Sequence, residues 1–136
     1  MFLKRPFLKI TLIIILIKLI SVVTTSAQEQ LIGKWRNKKS LENSLNYIIV
    51  TFYNQQLFIQ PVVTCIPADC VWTRKKMTLI GKNKNAAGVI YENSDWQKKI
   101  SINLLENSEL ECVIETVFTN GNQQKTEYLI LHKADK

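Results

Sequence analysis

Regular alternation of apolar and polar residues, broken at short intervals by turn residues, is the feature that most constrains the fold of this chain. In the segment 110–118, for example, Leu110 and Cys112 fall on one face and Glu111 and Glu115 on the other. A period of two residues is typical of β-strands that bury one face. The pattern therefore predicts an all-β protein.

The alternation predicts eight strands separated by short polar turns. We place them at 31–37, 47–53, 57–64, 71–80, 86–92, 96–104, 110–118 and 125–133. The strongest hairpin signal is Asn120-Gly121, between the last two strands. We predict no helix beyond a single turn at 39–46.

Eight consecutive strands joined by short turns predict an antiparallel meander. A flat meander has two long exposed edges, and closing it into an up-and-down barrel removes them. We therefore predict that residues 28–136 form one domain, an eight-stranded antiparallel barrel, with a two-sheet sandwich as the alternative. The interior of such a barrel holds packed side chains or one small ligand.

Residues 1–27 have the features of a secretory signal peptide. Lys4 and Arg5 precede an apolar segment, Ile10–Val23, and small residues at Thr25–Ala27 provide a cleavage site. The alternative is a membrane anchor, but Lys18 interrupts the apolar segment, and a spanning helix needs about 20 apolar residues. We expect cleavage, a periplasmic or secreted protein, and no stable membrane span afterwards.

The predicted signal peptide carries much of the basic excess of the chain. The chain has 18 lysine and arginine residues against 11 acidic ones, and four of the basic residues lie within the first 27 positions. The rest of the chain then has a net charge of +3. Its short basic runs, at 38–39, 74–76 and 98–99, are scattered in a way typical of solvated strand faces. We therefore predict no nucleic-acid partner.

Two of the three cysteines enclose a short loop at 65–70 that leads into Trp72. Cysteines of exported proteins are usually paired, so we predict a disulfide between Cys65 and Cys70. Closing so short a loop stabilises the fold by about 2 kcal/mol in the chain-entropy model. We predict that Asp69 caps the turn through its carboxylate. Cys112 alternates with glutamates and is predicted to face the core.

The cysteine spacing does not favour redox or metal chemistry. A thioredoxin-like motif has two residues between its cysteines, and a structural zinc site needs four nitrogen or sulfur ligands. The chain offers three cysteines and one histidine, His132. A metal or redox site stays the less favoured alternative, and we predict no cofactor.

The segment Gly33-Lys34-Trp35 resembles the G-x-W start of lipocalins, avidins and related small barrels. The resemblance implies that Trp35 packs across the closed end of a barrel and that Gly33 and Trp35 have structural roles. The later lipocalin signatures are absent from the chain, so no ligand is inferred from that family.

A second resemblance covers essentially all of residues 28–136. The chain is similar to a group of uncharacterised small exported bacterial proteins that share a G-x-W-x-N strand and a C-x-P-x-D-C-x-W loop. Here these motifs are Gly33-Lys34-Trp35-Arg36-Asn37 and Cys65-x-Pro67-x-Asp69-Cys70-x-Trp72. Members often carry histidine after the first cysteine and Asp-Trp-Gly after the second, whereas this chain has Ile66 and Val71-Trp72-Thr73. The resemblance implies the fold and export, and the apolar departures disfavour a polar active site.

No catalytic constellation is evident in the sequence. One histidine, with no nucleophile elbow, does not make a triad. Glu109, Glu111 and Glu115 share a strand face, where an exposed acidic surface is favoured over a carboxylate pair of the glycosidase type. We therefore predict that the protein is not an enzyme.

The aromatic residues provide the candidate binding site. The three tryptophans, Trp35, Trp72 and Trp96, are predicted to pack in the core or at an end of the barrel. The alternative is that Trp72, Tyr47, Tyr53 and Tyr91 line the mouth of a pocket. The leading hypothesis is a non-enzymatic module that binds a small apolar ligand or a partner protein. The alternative is an envelope interaction or inhibitor module whose Cys65–Cys70 loop inserts into a partner. That alternative requires an exposed loop.

Overall fold

The computed structural model describes residues 27–135 except for residues 40, 42, 83 and 122. The predicted signal peptide, residues 1–27, thus lies outside the described residues apart from Ala27. The described chain is all-β, as predicted, with one short helix and ten strands. These elements are α1 (Ala27–Leu31), β1 (Gly33–Asn37), β2 (Leu45–Tyr53), β3 (Gln56–Val63), β4 (Cys70–Val71), β5 (Lys75–Lys76), β6 (Thr78–Ile80), β7 (Ala86–Glu92), β8 (Trp96–Leu104), β9 (Leu110–Phe118) and β10 (Gln124–Lys133).

The prediction of one long strand at 71–80 is wrong. Three short strands, β4, β5 and β6, occupy this segment because residues 72–74 leave the sheet. The strands predicted at 86–92, 96–104 and 110–118 coincide with β7, β8 and β9. Helix α1 was not predicted, because five residues give too little helical periodicity to detect.

The strands form one antiparallel sheet in the order β4-β3-β2-β1-β10-β9-β8-β7-β6, with β5 also paired to β3. Neighbours in sequence are mostly neighbours in the sheet, as a meander requires, and the first long strand pairs with the last, with Trp35 opposite Lys133. The hydrogen-bonded path has two ends, at β4 and β6. The closed eight-stranded barrel is therefore not confirmed.

The chain itself runs between the two ends of this path. Strand β5 pairs with β3, with Lys76 opposite Phe58, and β6 pairs with β7, with Thr78 opposite Gly88. Met77, between β5 and β6, is buried, and its N–H donates to the carbonyl oxygen of Leu57 at 2.8 Å. The segment 75–80 therefore pairs with β3 through its first residues and with β7 through its last.

The core consists of the inward-facing apolar side chains of the long strands. It includes Trp35, Leu45, Ile48, Val50, Leu57, Ile59, Val89, Ile100, Ile102, Leu110, Cys112, Ile114 and Leu131. Burial of these alternating positions fixes the register of each strand. A slip by one residue would move the apolar side chains to the solvent-facing side of the sheet.

Trp35 and α1 pack together against the core. Trp35 and Leu31 are both fully buried, and Trp35 Nε1 donates to the carbonyl oxygen of Leu31 at 2.8 Å. Gly33 has a φ of +139°, a region that favours glycine, and a Cβ there would lie 2.9 Å from Lys133 Cε. Gly33 and Trp35 thus lie where a small residue and a large apolar one are each required.

Cys112 is buried and unpaired, as predicted for a core residue. Burial raises the pKa of its thiol to about 12, so the thiol stays protonated at neutral pH. A buried, protonated thiol is a poor nucleophile and metal ligand. Its role in the described structure is packing.

Candidate functional site

The disulfide between Cys65 and Cys70 is present, as predicted. It closes the loop that joins β3 to β4, where Val63 pairs with Cys70 and Val62 with Val71. The Ile66–Pro67 peptide bond is cis. The loop is therefore fixed both by its own bridge and by a short ladder to a long strand.

Apolar side chains of the loop point into solvent. Ile66 is 74% exposed and Val71 is 61% exposed, and Pro67 and Ala68 between them are exposed as well. Large apolar side chains presented together on a rigid loop are a feature of surfaces that bind other proteins. The exposure meets the requirement of the interaction-module hypothesis.

Polar contacts hold the base of the loop. The carboxylate of Asp69 accepts a hydrogen bond from Asn46 Nδ2 at 3.3 Å. We predicted that this carboxylate would cap its own turn, but among the described residues its hydrogen bond is to β2 instead. The N–H of Trp72 donates to the carbonyl oxygen of Pro61 at 2.9 Å, and Gln60 Nε2 donates to the carbonyl oxygen of Trp72. Strands β2 and β3 together support the loop.

Trp72 turns inward directly after the loop and joins an aromatic cluster. Its ring stacks on Trp96 with the centroids 5.6 Å apart, and it meets the ring of Tyr91 edge-on at 5.1 Å. Tyr91 Oη donates to the carbonyl oxygen of Thr73 at 2.8 Å, which ties β7 to the segment between β4 and β5. Burial raises the pKa of Tyr91 to about 12, so it remains a hydroxyl donor.

Lys98 is the charged member of the cluster. Its Nζ lies 5.3 Å from the ring centroid of Trp96 and 5.9 Å from that of Trp72. Burial lowers the pKa of Lys98, the carboxylate of Glu127 opposes this shift, and Lys125 adds to it. The ammonium group thus lies near two aromatic rings, which attract it, and feels the charge of Glu127, whose own ion pair is with Lys125.

The recess between these side chains is small. Trp72, Lys98, Ile100, Ile114 and Glu127 line it with residues from the start of β2, and its volume is about 50 Å³. Small-molecule pockets have volumes of about 300–1,000 Å³. The recess has room for water molecules but not for an apolar ligand of ordinary size.

The structure brings together two of the four predicted aromatic site residues. Trp72 and Tyr91 are in contact, whereas Tyr47 and Tyr53 lie elsewhere. The ring of Tyr47 has Lys34 Nζ 3.9 Å from its centroid, and Tyr53 is 62% exposed at the far end of β2. The two other tyrosines therefore do not line a common mouth with Trp72.

Sequence reasoning did not place Trp96 and Lys98 in the site. The turn at 93–95 provides a signal that could have found them. If β7 and β8 form a hairpin around that turn, residues at equal distances from it face each other, and Tyr91 is opposite Lys98. Trp96 and Lys98 are two residues apart on β8, so their side chains lie on the same face of the sheet.

The described residues do not include a group of three or more histidine, cysteine, aspartate or glutamate side chains placed to hold a metal ion. His132 Nδ1 lies 3.3 Å from a carboxylate oxygen of Glu109, at the partly exposed ends of β9 and β10. In the part of the chain that the structure describes, there is no helix long and apolar enough to cross a membrane.

Comparison of the chain with protein-family models, with curated proteins and with solved structures gives no match. The resemblances to small lipocalin-like barrels and to the exported bacterial group remain predictions. The site is therefore interpreted from its own geometry.

Proposed function

We propose that this protein is an exported, non-enzymatic binding module that holds a partner protein of the cell envelope through its Cys65–Cys70 loop. The observation that carries the proposal is the exposure of Ile66 and Val71 on a loop closed by a disulfide. A preorganised loop loses little conformational entropy when it binds, so its apolar contacts contribute more fully to affinity.

The scaffold in this proposal is an eight-stranded barrel. Counting the segment 75–80 as one strand gives eight strands in a ring, because this segment pairs with β3 at its start and with β7 at its end. The hydrogen bond from Tyr91 Oη to Thr73 and that from Lys75 Nζ to the carbonyl oxygen of Ile90, at 3.1 Å, span the interval without a backbone ladder. Export is supported by the disulfide, since such bridges persist in oxidising compartments.

A partner protein fits the geometry better than an apolar ligand inside the barrel. The inward-facing positions hold fully buried side chains such as Ile48, Ile59 and Ile102. The recess beneath Trp72 is about 50 Å³. The apolar surface that is available near Trp72 lies outside, on the loop.

Two variants of matched exposure test this proposal. Tyr128, on the outer face of β10, is 75% exposed and is separated from β4 by β3, β2 and β1. We expect Ile66→Asp to lose the envelope proteins that co-purify with the wild-type chain from its host, and Tyr128→Asp to retain them. Loss of a central apolar contact typically weakens an interface by about 2 kcal/mol, or roughly thirtyfold.

The proposal is wrong if the wild-type chain and both variants retain the same proteins in the same amounts. It is equally wrong if Tyr128→Asp loses the partner and Ile66→Asp keeps it. Thermal melting of each variant confirms that only folded chains are compared.

A further inference from the structure

A groove on the outer face of the sheet lies apart from the Cys65–Cys70 loop. It runs along β5, β6, β7 and β8 and has a volume of about 470 Å³, which falls within the about 300–1,000 Å³ typical of small-molecule sites. Ile80 and Ile90 form its apolar floor, and Ile90 is 49% exposed.

Gly88 shapes the floor of this groove. It lies on the outer face of β7 yet is buried, because the side chain of Ile80 covers it. A Cβ at Gly88 would lie 3.1 Å from Ile80 Cδ1, tighter than ordinary van der Waals contact. The missing side chain lets Ile80 lie against the strand, next to Ile90.

Three lysines line the groove. Lys75 Nζ is held over β7 by its hydrogen bond to the carbonyl oxygen of Ile90. Lys99 Nζ is 3.8 Å from a carboxylate oxygen of Glu115, and because both groups are about half exposed this ion pair is weak. Lys76 forms no ion pair with any residue that the structure describes. The groove thus combines an apolar floor with an excess of positive charge.

We propose that this groove binds a long-chain carboxylic acid, with the acyl chain over Ile80 and Ile90 and the carboxylate among the lysines. Charge complementarity selects an anionic ligand. An acyl chain is favoured over an extended peptide because the strands beneath are already paired, with Thr78 opposite Gly88 and Ile90 opposite Lys99. A peptide lying there would leave its own backbone groups without partners, whereas an acyl chain has none to satisfy.

Titration calorimetry of the full chain with two probes of equal chain length, below their micelle concentrations, tests this inference. We expect dodecanoate to bind at one site per chain and dodecyltrimethylammonium to bind at least about tenfold more weakly. Lys76→Glu should weaken dodecanoate binding about fivefold to tenfold, since it replaces an attraction by a repulsion at an exposed site.

Ile90→Asp should abolish measurable binding of dodecanoate, and Ile130→Asp should leave it unchanged. Ile130 is the matched control because it is 42% exposed on β10, outside the groove. Equal affinity for the two amphiphiles, absence of dodecanoate binding, or equal losses in Ile90→Asp and Ile130→Asp would each overturn the proposal. Lys76→Glu keeps the test decisive if Ile90→Asp does not fold, because Lys76 is exposed.

Discussion

At the scale of single residues, Thr116 is a buried polar residue opposite Lys98 of the candidate site. It is almost fully buried, and its hydroxyl has no hydrogen-bond partner among the described residues. In the register of the sheet it lies between Lys98 on β8 and Lys125 on β10. An unsatisfied buried hydroxyl costs free energy that an apolar group of the same shape does not.

Thr116→Val should therefore raise the free energy of unfolding by about 1 kcal/mol, because it replaces the unsatisfied hydroxyl by a methyl group. Urea denaturation measures the change. Thr126→Val, at an exposed position on β10, is the control and should change stability by less than about 0.5 kcal/mol. A destabilised Thr116→Val variant would show that the hydroxyl is satisfied.

Cys112 gives the fold a dependence on alkaline pH. Burial raises the pKa of its thiol from 9.0 to about 12, so the unfolded chain loses this proton at a lower pH than the folded chain does. Between these two values the unfolded state binds fewer protons, and stability must fall as pH rises. The contribution is fully present below the unfolded pKa.

We expect the free energy of unfolding to fall as pH rises above about 9, by up to about 1.4 kcal/mol per pH unit from this thiol. Cys112→Ala should make the profile less steep between pH 9 and 10, even though the cavity lowers stability at every pH. The slope that remains comes in part from Tyr91, because burial raises its pKa to about 12 as well. Denaturation curves at a series of pH values measure both slopes. An unchanged slope in Cys112→Ala would exclude Cys112 as the cause.

At the scale of elements, the predicted and the observed strands differ most in residues 65–80. The predicted strands at 86–92, 96–104 and 110–118 are confirmed, and each is one unbroken strand bounded by turn residues. In the segment 71–80, Trp72 turns inward and Met77 is buried while the backbone changes partner from β3 to β7. The alternation of apolar and polar residues does not indicate which strand a segment pairs with. The switch of pairing from β3 to β7 therefore could not be predicted from the sequence.

The site shows the same division. The disulfide and the place of its loop follow from sequence spacing. Contact between Trp72 and Tyr91 depends on the distance between β4 and β7. Only the three-dimensional structure defines that distance. Tyr47 and Tyr53 are adjacent in the chain to inward-facing residues, but their own positions in the pleat turn them outward.

The disulfide should stabilise the fold modestly, because it closes a loop of only six residues. Replacing both Cys65 and Cys70 by alanine should lower the free energy of unfolding by about 2 kcal/mol. Denaturation with and without reductant measures this. Reductant should lower the stability of the wild-type chain to that of the double variant and leave the variant itself unaffected. A wild-type chain that is insensitive to reductant would contradict a stabilising role.

At the scale of the whole molecule, the segment 75–80 decides whether the sheet behaves as a barrel. If this segment joins β3 to β7 continuously, the amide of Met77 should exchange with solvent as slowly as the amides of β8 and β9. The amides of the exposed loop residues Ile66, Ala68 and Asp69 give the fast reference rate. Exchange of Met77 at the rate of the loop would mean that the sheet opens there and is not a barrel in solution.

The whole-molecule arrangement separates two surfaces. The Cys65–Cys70 loop extends from β3 and β4, and the lysine-lined groove follows β5 to β8. The core between them is packed with buried apolar side chains. We propose that the loop is the surface that meets a partner protein.

Photo-crosslinking in the host from a photoreactive residue at position 66, with position 128 as control, tests whether the loop contacts a partner. We predict one dominant protein adduct from position 66 and none of the same mass from position 128. Absence of an adduct from position 66, or the same adduct from both positions, would contradict the assignment of the loop as the binding surface.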